Sequence, residues 1–208
     1  MHIGFKIFIG LVVLGLGAWI YAVSNVERWK YVVLEKDGAI EVRDYPALVV
    51  AEVTRRGNRN SAVRAGFGPL AGYIFAKNRG GESISMTAPV TQALVPPVSQ
   101  DTSGQANGAD ETWIVRFIMP AKYTLDTLPK AAGDDVRLLT VAAGRFAAIQ
   151  FSGVATDALI ATNEATLRAW LADRKMTING EPTYAYYNDP FTPGPLRRNE
   201  VLFAVQTP

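Results

Sequence analysis

Strand-like alternation of hydrophobic and polar residues recurs along most of the chain from residue 31 onward. It begins with a hairpin pattern whose turn lies at Asp37-Gly38, since this dipeptide favours a tight two-residue turn. A polar stretch rich in Gly, Ser and Pro, residues 95–111, predicts a long loop. Strands are predicted over residues 31–46, 47–54, 83–94, 112–120, 136–153, 183–190 and 197–205.

Two stretches, residues 62–77 and 157–174, have helical spacing instead. Residues 58–61 offer N-cap candidates for the first helix, and Thr156 offers one for the second. The first stretch contains Gly66, Gly68 and Pro69, which weaken an isolated helix, so we expect this helix to depend on tertiary packing. Its apolar stripe consists of Val63, Phe67, Leu70 and Ile74.

The order of these elements repeats along the chain. Leu48–Thr54 aligns with Phe146–Ser152, and Leu70–Ile74 aligns with Leu167–Leu171. In each half the helix is followed by two strands. We therefore predict an α+β domain made of two β-α-β-β units, which form one sheet or open barrel carrying two helices.

The first residues differ in kind, because residues 7–26 carry no charge. About 20 apolar residues suffice to span a bilayer, and Trp19 and Tyr21 are placed as interfacial aromatic residues would be. Ala22-Val23-Ser24 is an acceptable cleavage site, so a cleaved signal peptide is the alternative to a permanent anchor. We divide the chain into an N-terminal membrane anchor or signal segment, residues 1–28, and a folded domain, residues 29–208.

Composition and charge exclude several classes of function. A formal net charge of +2 gives no concentrated basic surface for nucleic acid. The chain has no Cys, and its one His is His2, so no imidazole or thiolate nucleophile or zinc ligand is available to the domain. The adjacent acidic pairs fit solvated loops better than a metal site. No enzyme class emerges, and a binding module is the default interpretation.

Five motifs in fixed order resemble the SOUL heme-binding protein family over residues 30–205. That resemblance implies a duplicated β-α-β-β fold shaped as a distorted β-barrel flanked by two helices. It also implies a carrier or buffer of heme or another porphyrin, rather than a catalyst. The motifs are EVRDYPALVVAEV (41–53), GYIF (72–75), ISMTAPV (84–90), FIMPAKYTLDTLP (117–129) and RRNEV (197–201).

The resemblance also implies which residues bind the ligand. The first helix would form one wall of a cleft, with Arg64 facing a heme propionate because a guanidinium group suits a carboxylate. A segment near the C-terminus would form the rim. The predicted cofactor-binding residues are Arg64, Phe67, Ala71 and Phe75 on the helix and Tyr187, Phe191 and Arg197 on the rim.

The chain departs from the family pattern at the iron ligand. Some members are thought to use an axial His, and the domain has none, so we predict heme binding without His ligation. Ordinary structural roles compete with these site predictions. Phe67 fits a core position, Arg64 fits a solvated charge, and residues 197–200 fit a hydrogen-bonded strand entry.

Three functions follow from these observations. The first is a non-catalytic tetrapyrrole-binding protein tethered to the bacterial inner membrane, with its domain in the periplasm, or secreted there if the N-terminal segment is cleaved. Its partners would be the tetrapyrrole and the membrane, and not nucleic acid. The second is a module that binds another small hydrophobic effector or a protein. The third, an enzyme using Glu or Tyr as acid-base, has no paired carboxylates to support it.

Overall fold

The computed structural model describes residues 26–96 and 111–206. They form strands and two long helices, and strands precede and follow each helix along the chain. The strands are β1 Glu27–Arg28, β2 Val32–Asp37, β3 Ile40–Tyr45, β4 Leu48–Arg56, β5 Thr87–Ala88, β6 Val90–Leu94, β7 Thr112–Ile118, β8 Arg137–Val141, β9 Gly144–Phe151, β10 Thr177–Tyr186 and β11 Asn199–Gln206. The helices are α1 Arg59–Ile74 and α2 Asp157–Asp173.

Nine of the strands form one antiparallel sheet in the order β2-β3-β9-β11-β10-β6-β7-β4-β8. The predicted hairpin and the other predicted strand regions are confirmed, with differences in detail. The two turn residues are Gly38 and Ala39, one position later than predicted, since Asp37 pairs with Ile40. Residues 136–153 form two strands, β8 and β9, and the strand predicted over residues 183–190 is β10.

Another difference lies within residues 83–94. Pro89 breaks that region into β5 and β6, and β5 pairs only with β1 in a separate two-stranded sheet. Pro89 has no N–H group to donate. Because it lies at the break between β5 and β6, the main sheet loses no ladder hydrogen bond.

The sheet is sharply curled. β3 and β4 are second and eighth in the strand order, yet only Pro46 and Ala47 connect them. Six strand spacings in a flat sheet would separate them by roughly 29 Å, whereas the three residue steps from Tyr45 to Leu48 span at most about 11 Å. Two residues also join β8 to β9, so both ends of the sheet must bend towards each other.

The predicted distorted β-barrel needs correction. Among the described strands, no ladder joins the two edges β2 and β8, so the sheet is a curled open sheet rather than a closed barrel. The edge strand β2 is exposed along its whole length and pairs with β3 alone. The predicted α+β class, with a large antiparallel sheet and two helices, is confirmed.

The strand register follows the sequence repeat. β3 pairs with β9 through Ile40 and Ile149, and a shift of 98 residues converts this pair into Leu138 and Ala51, which are partners in β8 and β4. β3 of the first half thus pairs with β9 of the second half, and β8 of the second half pairs with β4 of the first half. The two halves meet in the middle of the sheet, where β6 pairs with β10.

Both helices pack on one face of this sheet. α1 covers a core that includes Val53, Val115 and Leu70, and α2 covers one that includes Ile149 and Leu167. Since side chains alternate along a strand, the neighbouring residues point to the second face. There, residues 26–31 cover a smaller cluster that includes Tyr45, Tyr187 and Leu202.

Residues 1–25 and 97–110 lie outside the described residues, so the predicted membrane segment and most of the predicted 95–111 loop are not tested. Within the described part of the chain, neither helix combines the length and apolar character needed to cross a bilayer.

Candidate functional site

Helix α1 lies exceptionally close to the sheet. A Cβ atom placed on Gly66 would lie 2.9 Å from the Cβ atom of Val115 and 3.1 Å from a methyl carbon of Val53. Only a residue without a side chain permits this approach. The helix begins where Asn58 accepts a hydrogen bond from the Ser61 backbone amide, at 2.9 Å, three residues before the predicted start. It ends at Ile74, three residues before the predicted end.

The outward face of α1 brings the four predicted helix residues together. Arg64, Phe67, Ala71 and Phe75 follow one another at spacings of three and four residues, so they lie on adjacent positions of the helix surface. Phe67 is 43% exposed and Phe75 is 48% exposed, and Ala71 is half-buried between them. We call these four residues the α1 strip.

Phe67 departs from the predicted buried stripe. The buried residues of α1 include Ala62, Gly66, Leu70 and Tyr73. Phe67 is not among them and lies on the flank of the helix, beside this buried face. Its ring contacts the buried Phe117 ring edge-on, with centroids 5.2 Å apart. One edge of the Phe67 ring is thereby held in place, while much of the ring stays open to solvent.

The electrostatics of the α1 strip are simple. Arg64 is exposed and forms no ion pair with any described residue. α1 itself contains no acidic residue that would compete for this guanidinium group. A flat apolar ligand with a carboxylate at its edge matches this combination of apolar surface and unpaired cation.

The rim residues Tyr187, Phe191 and Arg197 do not join the α1 strip through any contact in the described structure. Tyr187 is 7% exposed and lies on the second face of the sheet. Phe191 is 86% exposed in the loop between β10 and β11. Arg197 donates hydrogen bonds to the backbone carbonyls of Thr192 and Pro190 in the same loop. Their role in binding stays a prediction.

Tyr187 belongs to a buried ionic cluster that sequence reasoning missed. Arg43 donates two hydrogen bonds to the Glu200 carboxylate, each 3.0 Å long, and Arg198 donates to the same carboxylate at 2.6 Å. The Tyr187 hydroxyl donates to Glu200 at 2.8 Å and accepts from the Trp29 indole at 2.8 Å. We call these five residues the Glu200 cluster.

The charges of the Glu200 cluster compensate one another. Burial alone lowers the pKa of Arg43, but hydrogen bonds and charge attraction from Glu200 raise it above the ordinary value. Burial raises the pKa of Tyr187, and the Glu200 carboxylate raises it further. The hydroxyl is therefore protonated at neutral pH and serves as a donor. This arrangement explains the RRNE motif as the structural strand entry named among the alternatives above.

The site fits the porphyrin ring of a heme group better than it fits the iron. The α1 strip offers an apolar surface for the ring and a cation for a propionate. The iron has no imidazole available in the domain, since the single His of the chain is His2. A cavity on the opposite flank of α1, between Tyr73 and Val136, measures about 210 Å³. Small-molecule pockets usually have roughly 300–1,000 Å³, so this cavity is too small for a tetrapyrrole.

Comparisons with known proteins agree with these observations. The family model described as SOUL heme-binding protein matches residues 26–204. The chain is also similar to Heme-binding protein 2 of Mus musculus, with 28% identity over 171 residues that cover 81% of this chain and 78% of the mouse protein.

Two solved structures share the fold at low sequence identity. The C-terminal domain of EcmrR is 13% identical, with a TM-score of 0.57, over 81% of this chain and 98% of that one. A hydrolase from Listeria innocua is 12% identical, with a TM-score of 0.56, over 83% of this chain and 94% of that one. At such identities the likeness concerns the fold alone.

Proposed function

The chain belongs to the SOUL heme-binding protein family, and from that premise we propose that it binds heme or another tetrapyrrole on the α1 strip, as a carrier or buffer and not as a catalyst. The observation that supports this site is the exposed pair Phe67 and Phe75 on a helix that is fixed against the sheet. Apolar side chains on such a rigid surface need no rearrangement to receive a flat ring.

Each residue of the α1 strip has a distinct part in this proposal. Phe67 and Phe75 contact the face of the ring, and Ala71 between them keeps the surface low enough for the ring to lie flat. Arg64 pairs with a propionate through its guanidinium group. When bound, the heme supplies its own redox and ligand chemistry, and the protein supplies position and charge.

We further propose that the N-terminal segment tethers the domain to a bacterial inner membrane, with the domain in the periplasm. The support is in the sequence: residues 7–26 are uncharged, and Lys6 precedes them. A cleaved signal peptide would release the same domain into the same compartment.

A hemin titration of the full chain in detergent, followed by Soret absorbance, tests the proposed site. We expect saturable binding that the double variant Arg64→Ala, Phe67→Ala weakens at least about tenfold, equivalent to about 1.4 kcal/mol. The matched control is Leu125→Ala, Lys130→Ala, which removes one exposed apolar side chain and one cation from the loop between β7 and β8. The hydrogen bond from α1 to this loop comes from Tyr73, which is not part of the α1 strip. Leu125 is 41% exposed, close to the value of Phe67.

Two results would contradict the proposal. Equal affinities for the wild type and the α1 double variant would move the ligand away from the α1 strip. A complete absence of a Soret change would favour the second candidate function, a module for another small hydrophobic ligand.

A further inference from the structure

The loop between β10 and β11, residues 188–198, exposes apolar side chains to an unusual degree. Phe191 is 86% exposed and Leu196 is 69% exposed. Val154, at 54%, lies against Gly194 of the same loop, because a Cβ atom on Gly194 would lie 3.3 Å from a methyl carbon of Val154. Large apolar side chains clustered at one exposed point of a protein mark an interaction surface.

This loop is held rigid by its own hydrogen bonds. The Asp189 carboxylate accepts from the backbone amides of Phe191 and Thr192 and from the Thr192 hydroxyl, at 2.8–3.1 Å. Arg197 donates to two loop carbonyls, and the Gly153 amide donates to the Gly194 carbonyl at 3.0 Å. The exposure of Phe191 is therefore a defined feature of the fold.

The loop lies at the end of the sheet where the N-terminal segment enters the domain. Tyr186 pairs with Val90, so the residues after β10 and those before β6 leave the sheet at one end. β1 runs parallel to β5 just before β6, with Glu27 opposite Thr87, so the described chain begins at that same end. Trp29 also donates its indole hydrogen bond to Tyr187, the residue that begins the loop.

Positive charge accompanies the apolar side chains at this end. Arg28 and Lys30 are exposed and form no ion pair within the described residues, and Lys122 is exposed near Glu27, which accepts from the Ala121 amide. The nearby Asp189 carboxylate is occupied within the loop. Cations beside exposed aromatic and aliphatic side chains suit the interface of an anionic lipid bilayer.

We propose that residues 188–198 form a second membrane contact, in which Phe191 and Leu196 enter the headgroup region of an anionic phospholipid bilayer while Arg28 and Lys30 meet the phosphates. This inference rests on the proposed tether, which would bring this end of the domain to the bilayer. It assigns Phe191 a lipid contact instead of the tetrapyrrole rim predicted from the sequence.

The absence of Cys allows a direct test with single-cysteine variants of the full chain. An environment-sensitive fluorophore is attached at Phe191→Cys, at Leu14→Cys in the uncharged segment, or at Thr177→Cys. Thr177 is exposed at the start of β10, nine residue steps or at most about 30 Å from Tyr186 at the membrane end of that strand. Each protein is reconstituted into phosphatidylcholine/phosphatidylglycerol vesicles, with or without doxyl-labelled lipid as quencher.

We expect blue-shifted, doxyl-quenched emission at positions 14 and 191 and neither effect at position 177. Quenching at 14 without quenching at 191 would overturn the loop contact and leave the tether standing. Quenching at 191 alone would support the loop contact and contradict the tether, and quenching at neither would contradict both. Equal quenching at 191 and 177 would also overturn the proposal, because it would show no orientation.

The affinity for hemin distinguishes a lipid contact of Phe191 from a place on the tetrapyrrole rim. Because this side chain is so exposed, Phe191→Ser leaves the core unchanged. We expect this variant, measured in detergent, to bind hemin within about twofold of the wild type. A loss of tenfold or more would return Phe191 to the tetrapyrrole rim and contradict the lipid assignment.

Discussion

Glu200 shows how single residues join distant parts of this fold. Its carboxylate is buried between Arg43, which lies 157 positions earlier, and Arg198, which immediately precedes the strand of Glu200. The Arg43 side chain is 1% exposed, so water cannot compensate its charge if Glu200 is lost. Its other acidic partner is Glu41, at 2.8 Å, and Arg43 shares this carboxylate with Lys36. Removing one partner of a buried ion pair leaves an uncompensated charge, which costs far more than breaking an exposed pair.

We therefore expect Glu200→Gln to lower the free energy of unfolding by about 3–5 kcal/mol. Urea unfolding of the full chain, followed by circular dichroism, measures this loss. Asp135→Asn is the control, because it breaks an ion pair with Arg55 whose acidic side chain is 57% exposed, and it should cost less than about 1 kcal/mol. Equal losses in the two variants would show that the Glu200 cluster contributes no more than a surface pair.

Tyr187 gives the Glu200 cluster a specific dependence on pH. Burial and the nearby Glu200 carboxylate raise its pKa, whereas the unfolded chain loses this proton near pH 10. The resulting stabilisation is complete below about pH 10 and is lost as the pH rises further, since the folded state then binds more protons than the unfolded state. Tyr187→Phe should make the decline of unfolding free energy above pH 10 shallower by about 1.4 kcal/mol per pH unit. Parallel declines in the two proteins would disprove this assignment.

At the scale of elements, helix α1 depends on its contact with the sheet. Three Gly residues and Pro69 weaken its intrinsic helicity, and Gly66 is the point of closest approach. The exposed α1 strip is on the other side of the same helix. The position of the proposed ligand surface is thus set by the packing beneath it.

Two Gly to Ala substitutions in α1 test this dependence. Gly66→Ala places a methyl group against Val115 and Val53, and we expect a net loss of about 1–2 kcal/mol in unfolding free energy after the gain in helix propensity. Gly68→Ala meets open space, and the propensity gain is opposed by the following Pro69, so its effect should lie within about 0.5 kcal/mol of zero. A stabilised Gly66→Ala protein would show that α1 can move away from the sheet at no cost.

At the scale of the whole molecule, local signals could be predicted from the sequence and long-range contacts could not. Thr156 and Asn58 identify the helix starts because capping depends on a few neighbouring residues. Helical periodicity alone places Arg64, Ala71 and Phe75 on one face. The pairing of Arg43 with Glu200 depends on the register of three strands, and no local pattern contains that register.

The same reason explains the predictions that needed change. Tyr187 was predicted at the rim of the cleft, and no local pattern could show that it would meet Trp29 on the second face of the sheet. Barrel closure depends on whether the edge strands β2 and β8 meet, which is a property of the curled sheet as a whole.

The position of the tetrapyrrole is the central claim, and paramagnetic broadening measures it most directly. Amide spectra of the isotope-labelled full chain in detergent are compared with hemin and with zinc protoporphyrin, the diamagnetic control. We predict that ferric hemin broadens the amide signals of Arg64 to Phe75 most strongly and leaves those of helix α2 sharp. Strongest broadening in α2 or elsewhere on the domain, at hemin concentrations that saturate the Soret change, would contradict the proposed site.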